Sequence, residues 1–295
     1  MADFTIMLIC FFVILICVMP MVNLLAQSLS NSQAVINGKV KFMPVVFNNN
    51  DFSYKNGMSL ENYIFIMLDK SFVRSMWWTA LLTIICTLIS LSITILCAYP
   101  LTYDWLKGKT VINTIIIFTM YFSAGTIPNY ILMKNLNLLN NPLVLIIPNC
   151  LSVFYMIILR SFFFGIPDSL RESAEIDGAN PFTVLIRIYL PLSGPVLATL
   201  ALFYAVGRWN GFSDALLYLT AAPKWVPIQL KLWQIMQNMT ATDISTVEMI
   251  AGTVPRASDA MKAAAIMFAT VPIVLVYPWL QRYFIKGVTI GAVKG

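Results

Sequence analysis

Residues 167–191 read PDSLRESAEIDGANPFTVLIRIYLP, a polar and charged stretch that separates two long apolar runs of the sequence. The carboxylate of Asp168 is suited to cap a short helix over residues 169–177. Gly178 then fits the left-handed backbone position that often closes a helix. The first half of the stretch therefore predicts a short helix that ends at a glycine.

The second half of the stretch predicts another helix. Asn180 followed by Pro181 is typical of an N-cap and a first-turn proline. Apolar side chains recur at helical spacing after this proline and are expected to share one face. They are Phe182, Leu185, Ile186 and Tyr189. Two short helices joined at a glycine, on the surface of a membrane protein, make a docking element.

The composition of the chain indicates a membrane protein. Of its 295 residues, 59% are hydrophobic and 11% are charged, and the mean hydropathy is +0.79. Soluble domains carry about 25% charged residues. The formal net charge of +6 fits loops near anionic lipid headgroups better than nucleic-acid binding, because no basic stripe with interleaved aromatic residues lies outside the apolar runs.

Six apolar runs have roughly the length of transmembrane helices, and together they predict an all-α membrane protein with one transmembrane domain over residues 1–295. The predicted spans cover about residues 5–25, 75–99, 111–132, 143–164, 192–212 and 263–280. The polar segments 27–74 and 213–262 are expected to form two large extracellular loops. Inside the first loop, helical spacing predicts a surface helix whose packed face holds Leu60, Tyr63, Ile64 and Met67.

The residue types argue against catalysis or metal binding by this chain. It has no histidine, which removes the usual metal ligand, proton shuttle and triad base together. All five cysteines lie inside apolar runs, where thiols are typically structural: Cys10, Cys17, Cys86, Cys97 and Cys150. The sequence Gly108-Lys109-Thr110 ends like a phosphate loop, but Tyr103 stands where that motif needs its first glycine. We therefore expect no catalytic residue, no metal site and no bound nucleotide.

The docking element resembles the EAA loop of binding-protein-dependent ABC importer permeases. The family pattern is Glu-Ala-Ala, three residues, Gly, nine residues and Ile-x-Leu-Pro. This sequence keeps every spacing, from Glu172 through Gly178 to Ile188, and departs only at Ser173, where the family has an alanine. The resemblance extends over nearly the whole chain. It implies the type I ABC importer permease fold, with six transmembrane helices and a cytoplasmic two-helix coupling loop.

The resemblance also implies roles and partners. In such permeases the loop receives the closure of an ATPase dimer, and small residues allow a close approach of the backbones. The expected coupling residues are Glu172, Ser173, Ala174, Asp177, Gly178, Phe182, Ile188, Leu190 and Pro191, of which Asp177 and Phe182 occupy variable positions of the pattern. The implied partners are a second homologous permease subunit, two ATPase subunits and an extracellular substrate-binding lipoprotein. ATP and Mg²⁺ then belong to the ATPase subunits, and this chain binds no cofactor.

The short segments near the spans favour both termini in the cytoplasm. Long loops translocate largely regardless of charge, so short basic segments carry more weight. The turn 104–109 holds two lysines and the tail after residue 280 holds three basic residues, whereas the short loop on the other side holds Lys134 alone. The resemblance implies the same orientation, for a multi-pass protein of a bacterial plasma membrane.

The end of the fifth predicted span is a candidate for the substrate path. Arg208, Trp209 and Asn210 combine a charge, an aromatic face and an amide, and a sugar uses such groups for stacking and hydrogen bonding. A charge in an apolar run needs a cavity, a partner or the interface. An Arg208 that extends to the membrane interface is the structural alternative. Residues 202–210 and 283–295 resemble permeases that import complex oligosaccharides in Gram-positive bacteria, which implies an oligosaccharide substrate.

Three other functions compete with this interpretation. A secondary transporter would use an ionisable residue near mid-membrane, but the predicted spans hold only Arg160 and Arg208, near their ends. A membrane enzyme would need an acid–base pair, and no predicted span offers one. An ABC permease for a non-carbohydrate solute would carry the same coupling loop, so only the sequence outside the loop argues against that alternative.

Overall fold

The structure, a computed structural model, describes residues 2–48, 53–238 and 258–292. In this part the chain folds almost entirely into helices, with one two-stranded sheet. The elements up to residue 98 are α1 (Ala2–Ser28), α2 (Ser32–Ile36), β1 (Val45–Asn48), β2 (Ser53–Asn56), α3 (Glu61–Leu68) and α4 (Lys70–Ala98).

The later elements are mostly shorter helices separated by turns. A 3₁₀ turn (Pro100–Thr102) is followed by α5 (Lys109–Tyr121), α6 (Thr126–Asn135), a second 3₁₀ turn (Pro142–Leu145), α7 (Val153–Phe163) and α8 (Asp168–Ile176). Next come α9 (Pro181–Val184), a π-helical turn (Leu185–Tyr189), α10 (Leu190–Leu192), α11 (Gly194–Asn210) and α12 (Ser213–Tyr218). A third 3₁₀ turn (Pro223–Trp225), α13 (Ile228–Asn238) and α14 (Ser258–Ala292) complete the described elements.

Contacts divide the chain into two units, of which the first joins Met1–Trp77 to Pro227–Ile273. In this unit β1 and β2 pair antiparallel, with Asn48 opposite Ser53. An apolar cluster brings together side chains of α3, α4, α13 and α14, namely Ile66, Phe72, Ile228, Leu232, Ala264, Ala265 and Ala269.

The helix α3 forms where helical spacing predicts it, but it buries a different face. Ile64 and Met67 of the predicted face are exposed, whereas Ile66 is buried. The reason is Asn62, a buried residue whose side-chain amide donates to the backbone carbonyl oxygen of Ser30 at 2.9 Å. Because a buried amide must keep its hydrogen-bond partners, this bond to the residues after α1 fixes the rotation of α3 about its axis.

Four of the predicted spans correspond to continuous helices, and one of the four is the fifth, residues 192–212, nearly all of which is α11. The helix α1 contains predicted span 5–25, and α4 covers nearly all of span 75–99 but begins at Lys70. In the described part of the chain, these two helices are each long and apolar enough to cross a membrane. The long helix α14 contains the sixth predicted span, residues 263–280.

The third predicted span, residues 111–132, is broken. The helices α5 and α6 meet at an angle of 114°. Gly125 immediately precedes α6 with φ +88°, a conformation that a continuous helix does not contain. Pro128 lies in the first turn of α6, where its missing N–H would have had no helical partner. The predicted span 111–132 thus consists of two helices joined by a sharp bend.

The fourth predicted span is interrupted as well, whereas the bend beside the fifth lies at its start, before α11. In span 143–164 the α-helical part is α7, and Pro148 lies in a turn before it. The helices α7 and α8 meet at 75°, and the segment Pro181–Leu192 meets α11 at 84°. Over the described residues, the number of candidate spans rises from two to five if each bent pair forms one span.

The second unit joins Trp78–Val226 to Val274–Gly295. Its core lies where the end of α4, α7, the π-helical turn and α11 converge. The buried members include Ala98, Tyr99, Leu101, Tyr103, Met156, Leu159, Phe163, Val184, Leu185, Tyr189 and Leu200. Residues of the predicted docking element are thus part of the core of this unit.

Candidate functional site

The predicted docking element, residues 167–191, is named the coupling segment here, and it begins with α8. Asp168 is the first helical residue, and Pro167 occupies the N-cap position without a side-chain hydrogen bond. The prediction that Asp168 caps the helix is therefore wrong by one residue. Its carboxylate instead lies 3.0 Å from Nη2 of Arg171, one turn along the helix, and this pairing holds the carboxylate within the first turn.

The turn between α8 and α9 has the predicted chemistry. Gly178 has φ +84°, and a Cβ added there would meet nothing within 4 Å. Asn180 is the N-cap of α9, and its side chain accepts the Thr183 N–H at 2.8 Å. Pro181 takes the first helical position. The prediction of two helices broken at a glycine is confirmed.

The second helix of the coupling segment buries a face that differs from the predicted one. Leu185 and Tyr189 are buried, as expected, but Phe182 is 61% exposed and Ile186 is 47% exposed. Val184, outside the predicted face, is buried. The cause is the π-helical turn, in which hydrogen bonds join residues five apart and bring residues four and five apart onto one face. A spacing based on the α-helix alone misassigns this face.

The nine predicted coupling residues divide into an exposed set and an inward set. Six are exposed: Glu172, Ser173, Asp177, Gly178, Phe182 and Pro191. The other three, Ala174, Ile188 and Leu190, are half-buried and pack against the core of the second unit. Ala174 therefore faces the interior, although the resemblance implies that it helps a partner to approach.

The exposed side of the coupling segment is both acidic and apolar. Around Gly178 it presents the carboxylates of Glu172 and Asp177. The same segment exposes two large apolar side chains, Phe182 and Ile176, the latter 86% exposed. Apolar side chains grouped on a surface mark sites of protein–protein contact, and the open space at Gly178 permits a partner's backbone to come close.

A second candidate site lies at the end of α11, around Arg208. This side chain is buried, and its guanidinium makes a bidentate ion pair with Asp214, at 2.6 Å and 3.1 Å. It also donates to the carbonyl oxygens of Leu145 at 3.1 Å and Gly211 at 3.3 Å. The guanidinium is thus held inside the second unit, and the alternative of an arginine that extends to the membrane interface does not fit this geometry.

A cavity of about 340 Å³ lies beside this ion pair. Its lining combines hydroxyl, amide, charged and aromatic groups, from Ser90, Asn149, Tyr155, Phe203, Tyr204, Arg208, Ser213 and Asp214 among others. The rings of Tyr155 and Phe203 are stacked with centroids 5.6 Å apart. Of the three predicted path residues, Arg208 lines the cavity, whereas Trp209 is buried outside its lining and Asn210 is exposed.

Sequence reasoning missed the other polar residues of this cavity. The sequence places Asp214 in the polar loop 213–262, and no helical spacing connects it to its partner Arg208, which lies on a different helix. The chain turns at Gly211, and this turn brings the carboxylate back to the guanidinium. The signal that the sequence offers is an acidic residue, Asp214, shortly after the charged residue Arg208 near the end of the apolar run.

The turn after α4 holds a surface ion pair. Nζ of Lys109 lies 2.9 Å from Oδ1 of Asp104, and this hydrogen bond lowers the pKa of the Asp104 carboxyl. Gly108 has φ +81° and precedes α5, so the Gly-Lys-Thr sequence serves as a helix start. Within the described residues, no group of three or more acidic or cysteine side chains is placed to hold a metal ion.

Comparison with known proteins identifies the family. Residues 4–290 match the profile of the family described as "Binding-protein-dependent transport system inner membrane component". The chain belongs to this family. It is therefore the membrane component of a transport system that works with a binding protein, and it is a transport subunit rather than an enzyme.

Two relatives from Bacillus subtilis (strain 168) are similar over most of their length. The polygalacturonan/rhamnogalacturonan transport system permease protein YtcP is 38% identical over 281 residues, which cover 95% of this chain and 94% of the relative. Protein LplC is 42% identical over 246 residues, which cover 83% and 82%.

A solved structure is similar over the same extent. It is a chain from the crystal structure of a bacterial ABC transporter involved in the import of the acidic polysaccharide alginate. The TM-score is 0.85 at 30% sequence identity, and the match covers 96% of each chain. This member of the family accordingly has the helical, membrane-type fold of type I ABC importer permeases.

Proposed function

We propose that this chain is a permease subunit of an ATP-driven importer for oligosaccharides. The observation that carries the proposal is the similarity of nearly the whole chain to a permease named for polygalacturonan and rhamnogalacturonan transport. The cavity beside Arg208 supports it, because its stacked aromatic rings, amide and hydroxyl groups are those that bind sugar rings. In this proposal the substrate path includes Arg208, Trp209 and Asn210.

The permease crosses the membrane six times, with both termini and the coupling segment in the cytoplasm. The bent pair α5–α6 forms one interrupted span, and α11 forms the span that follows the coupling segment. An interrupted backbone is tolerated in a membrane where it is buried in protein or lines a water-filled cavity. The short basic segments near residues 107–109 and the tail support this orientation.

The coupling segment receives the motion of two ATPase subunits. Its exposed residues around Gly178 form the contact, and its inward residues, such as Ile188 and Tyr189, carry the displacement into the core of the second unit. ATP and Mg²⁺ are bound by the ATPase subunits. A second, homologous permease subunit completes the path, and an extracellular lipoprotein delivers the sugar.

The experiment that tests the substrate class measures ATP hydrolysis by the assembled complex with its binding protein. Defined oligosaccharides, neutral and acidic, are added in turn. Stimulation by one sugar class supports the proposal and identifies the substrate. Stimulation by none, with assembly and basal hydrolysis intact, refutes the carbohydrate assignment while the transporter family stands.

The coupling role is tested with Gly178→Asp. The added side chain meets no atom of this chain. A loss of ATPase binding greater than backbone strain alone would cause is therefore due to a clash between this side chain and the ATPase subunit. Gly38→Asp is the matched control, because Gly38 also has a positive φ, +63°, and open space at its Cβ position. We expect Gly178→Asp alone to reduce co-purification of the ATPase subunits. Equal co-purification with both variants would refute the coupling role.

A further inference from the structure

Two tyrosines at the end of α4 bind the coupling segment from inside. Tyr99 follows the last residue of α4, and Tyr103 follows the 3₁₀ turn after it. Both side chains are buried although they lie in a turn. The Tyr99 hydroxyl donates to the backbone carbonyl oxygen of Pro181 at 2.9 Å. Pro181 is the first residue of α9, directly after the glycine-broken turn.

The hydroxyl groups of the two tyrosines are hydrogen-bonded to each other. A phenol has one hydrogen to donate, and Tyr99 uses it on the Pro181 carbonyl. The Tyr103 hydroxyl is therefore the donor of the bond between the rings. The bonds run in one direction, from Tyr103 to Tyr99 to Pro181, and each donor polarises the next.

The same two rings touch both helices of the coupling segment. The Tyr99 ring packs edge-to-face on Tyr189, with centroids 5.0 Å apart. The guanidinium of Arg171, on α8, lies 5.0 Å from the centroid of the Tyr103 ring. Phe163 at the end of α7 packs on Tyr189 at 5.4 Å and closes the cluster.

We propose that Tyr99 and Tyr103 are positioning residues that couple movement of the coupling segment to α4. The inference rests on the proposed function, since it requires that the segment moves with the ATPase subunits. Both tyrosines are buried, so they act through Pro181, Tyr189 and Arg171 and not by touching a partner. A displacement of α8 and α9 then shifts the end of α4 directly, in addition to its effect through the continuous chain into α11.

The test removes single hydroxyl groups and measures the number of sugar molecules transported per ATP hydrolysed. Tyr99→Phe deletes the bond to Pro181, and we expect the ratio to fall about fivefold, as one buried hydrogen bond implies. Tyr103→Phe deletes only the hydrogen bond from Tyr103 to Tyr99, and we expect a smaller fall in the transport ratio. Because the bonds form one chain, the double variant should equal Tyr99→Phe alone.

The matched control is Tyr63→Phe. Tyr63 also donates a hydroxyl hydrogen bond, to Oγ of Ser28 at 2.8 Å, but in the first unit. This variant should leave the ratio unchanged, whereas a general loss of stability would lower it for all three. If Tyr99→Phe fails to assemble, the ratio of Tyr103→Phe decides, and an unchanged ratio refutes the proposal.

The outcome also separates this inference from the proposed function. An unchanged ratio in Tyr99→Phe, together with lost ATPase binding in Gly178→Asp, refutes the tyrosine link and leaves the coupling segment in its role. Unchanged behaviour of both variants refutes the coupling role, and the tyrosine link with it. The hydrogen-bonded chain would be refuted if Tyr99→Phe and Tyr103→Phe lowered the transport ratio equally and the double variant lowered it by the sum of the two effects.

Discussion

Removing the Asp214 carboxylate should destabilise the protein, because it leaves the Arg208 guanidinium buried without its counter-charge. The two side chains are 18% and 7% exposed, and they are joined by two short hydrogen bonds. Loss of one partner of a buried ion pair costs about 3–5 kcal/mol. In Asp214→Ala the carbonyl contacts of Arg208 remain and the neighbouring cavity admits water, so we expect the lower limit, about 3 kcal/mol.

This free energy corresponds to a lowering of Tm by about 6–12 °C, at about 2–4 °C per kcal/mol for a chain of this size class. The assay is thermal unfolding of the purified protein in detergent, followed by circular dichroism. Replacing both partners, as in Arg208→Met with Asp214→Leu, should restore most of the lost stability, because no buried charge remains. A lowering of less than about 1 °C for Asp214→Ala, or a double variant no better than the single ones, would refute this reasoning.

The matched control is Asp104→Ala, which also removes an aspartate from an ion pair. Asp104 lies 2.9 Å from Lys109 but its side chain is 94% exposed. Exposed pairs are screened by solvent and contribute little. Its Tm should therefore not change measurably, and an equal loss in both variants would show that burial does not decide the effect.

Substitutions at three further positions test local structure by the same Tm measurement. Asn180→Ala removes the acceptor of the Thr183 N–H and should cost about 1 kcal/mol, whereas Asn180→Asp, which keeps an acceptor, should cost little. Asn62→Ala removes a buried amide and should cost about 1–3 kcal/mol, with faster proteolysis of residues 27–74; unchanged proteolysis would contradict its anchoring role. Tyr204→Phe leaves the Ser152 N–H without its acceptor and should cost a similar amount, about 1–3 kcal/mol, while Tm equal to the parent would contradict that bond.

Turn chemistry was the most reliable guide to the coupling segment. The positive φ of Gly178 and the cap at Asn180 follow from local sequence alone, because both depend on residues within one turn. The cap at Asp168 was wrong, since the nearby Arg171 guanidinium attracts the carboxylate and Pro167 takes the N-cap position. The competition between a cap and an ion pair is decided by side-chain geometry that the sequence does not display.

Hydropathy located the apolar runs but not the breaks within them. A mostly apolar run shows little helical periodicity, so hydropathy does not mark the end of α5 at Tyr121. Gly125 was visible, but a glycine inside an apolar run is compatible with a kink, a cap or a continuous helix. The structure adopts a cap, with α6 turned by 114°.

The cavity was predictable only in part. Arg208 stands out because a charge in an apolar run needs a partner. Its partner Asp214 and the cavity residue Asn149 come from other segments, and their approach depends on the turn at Gly211 and on the non-helical chain before α7. Tertiary contacts of this kind have no signature in local spacing.

The π-helical turn gives a physical meaning to the number of residues in the coupling segment. Each residue of an α-helix turns the chain by about 100°, so one residue more or fewer between Gly178 and Ile188 would rotate the parts on either side of the change by that angle. Phe182 would then exchange its exposed position for one nearer the core, and Val184 would move toward solvent. The nine residues between Gly178 and Ile188 therefore fix the rotation of the helix about its axis. This rotation determines which side chains of the segment are exposed and which pack within the protein.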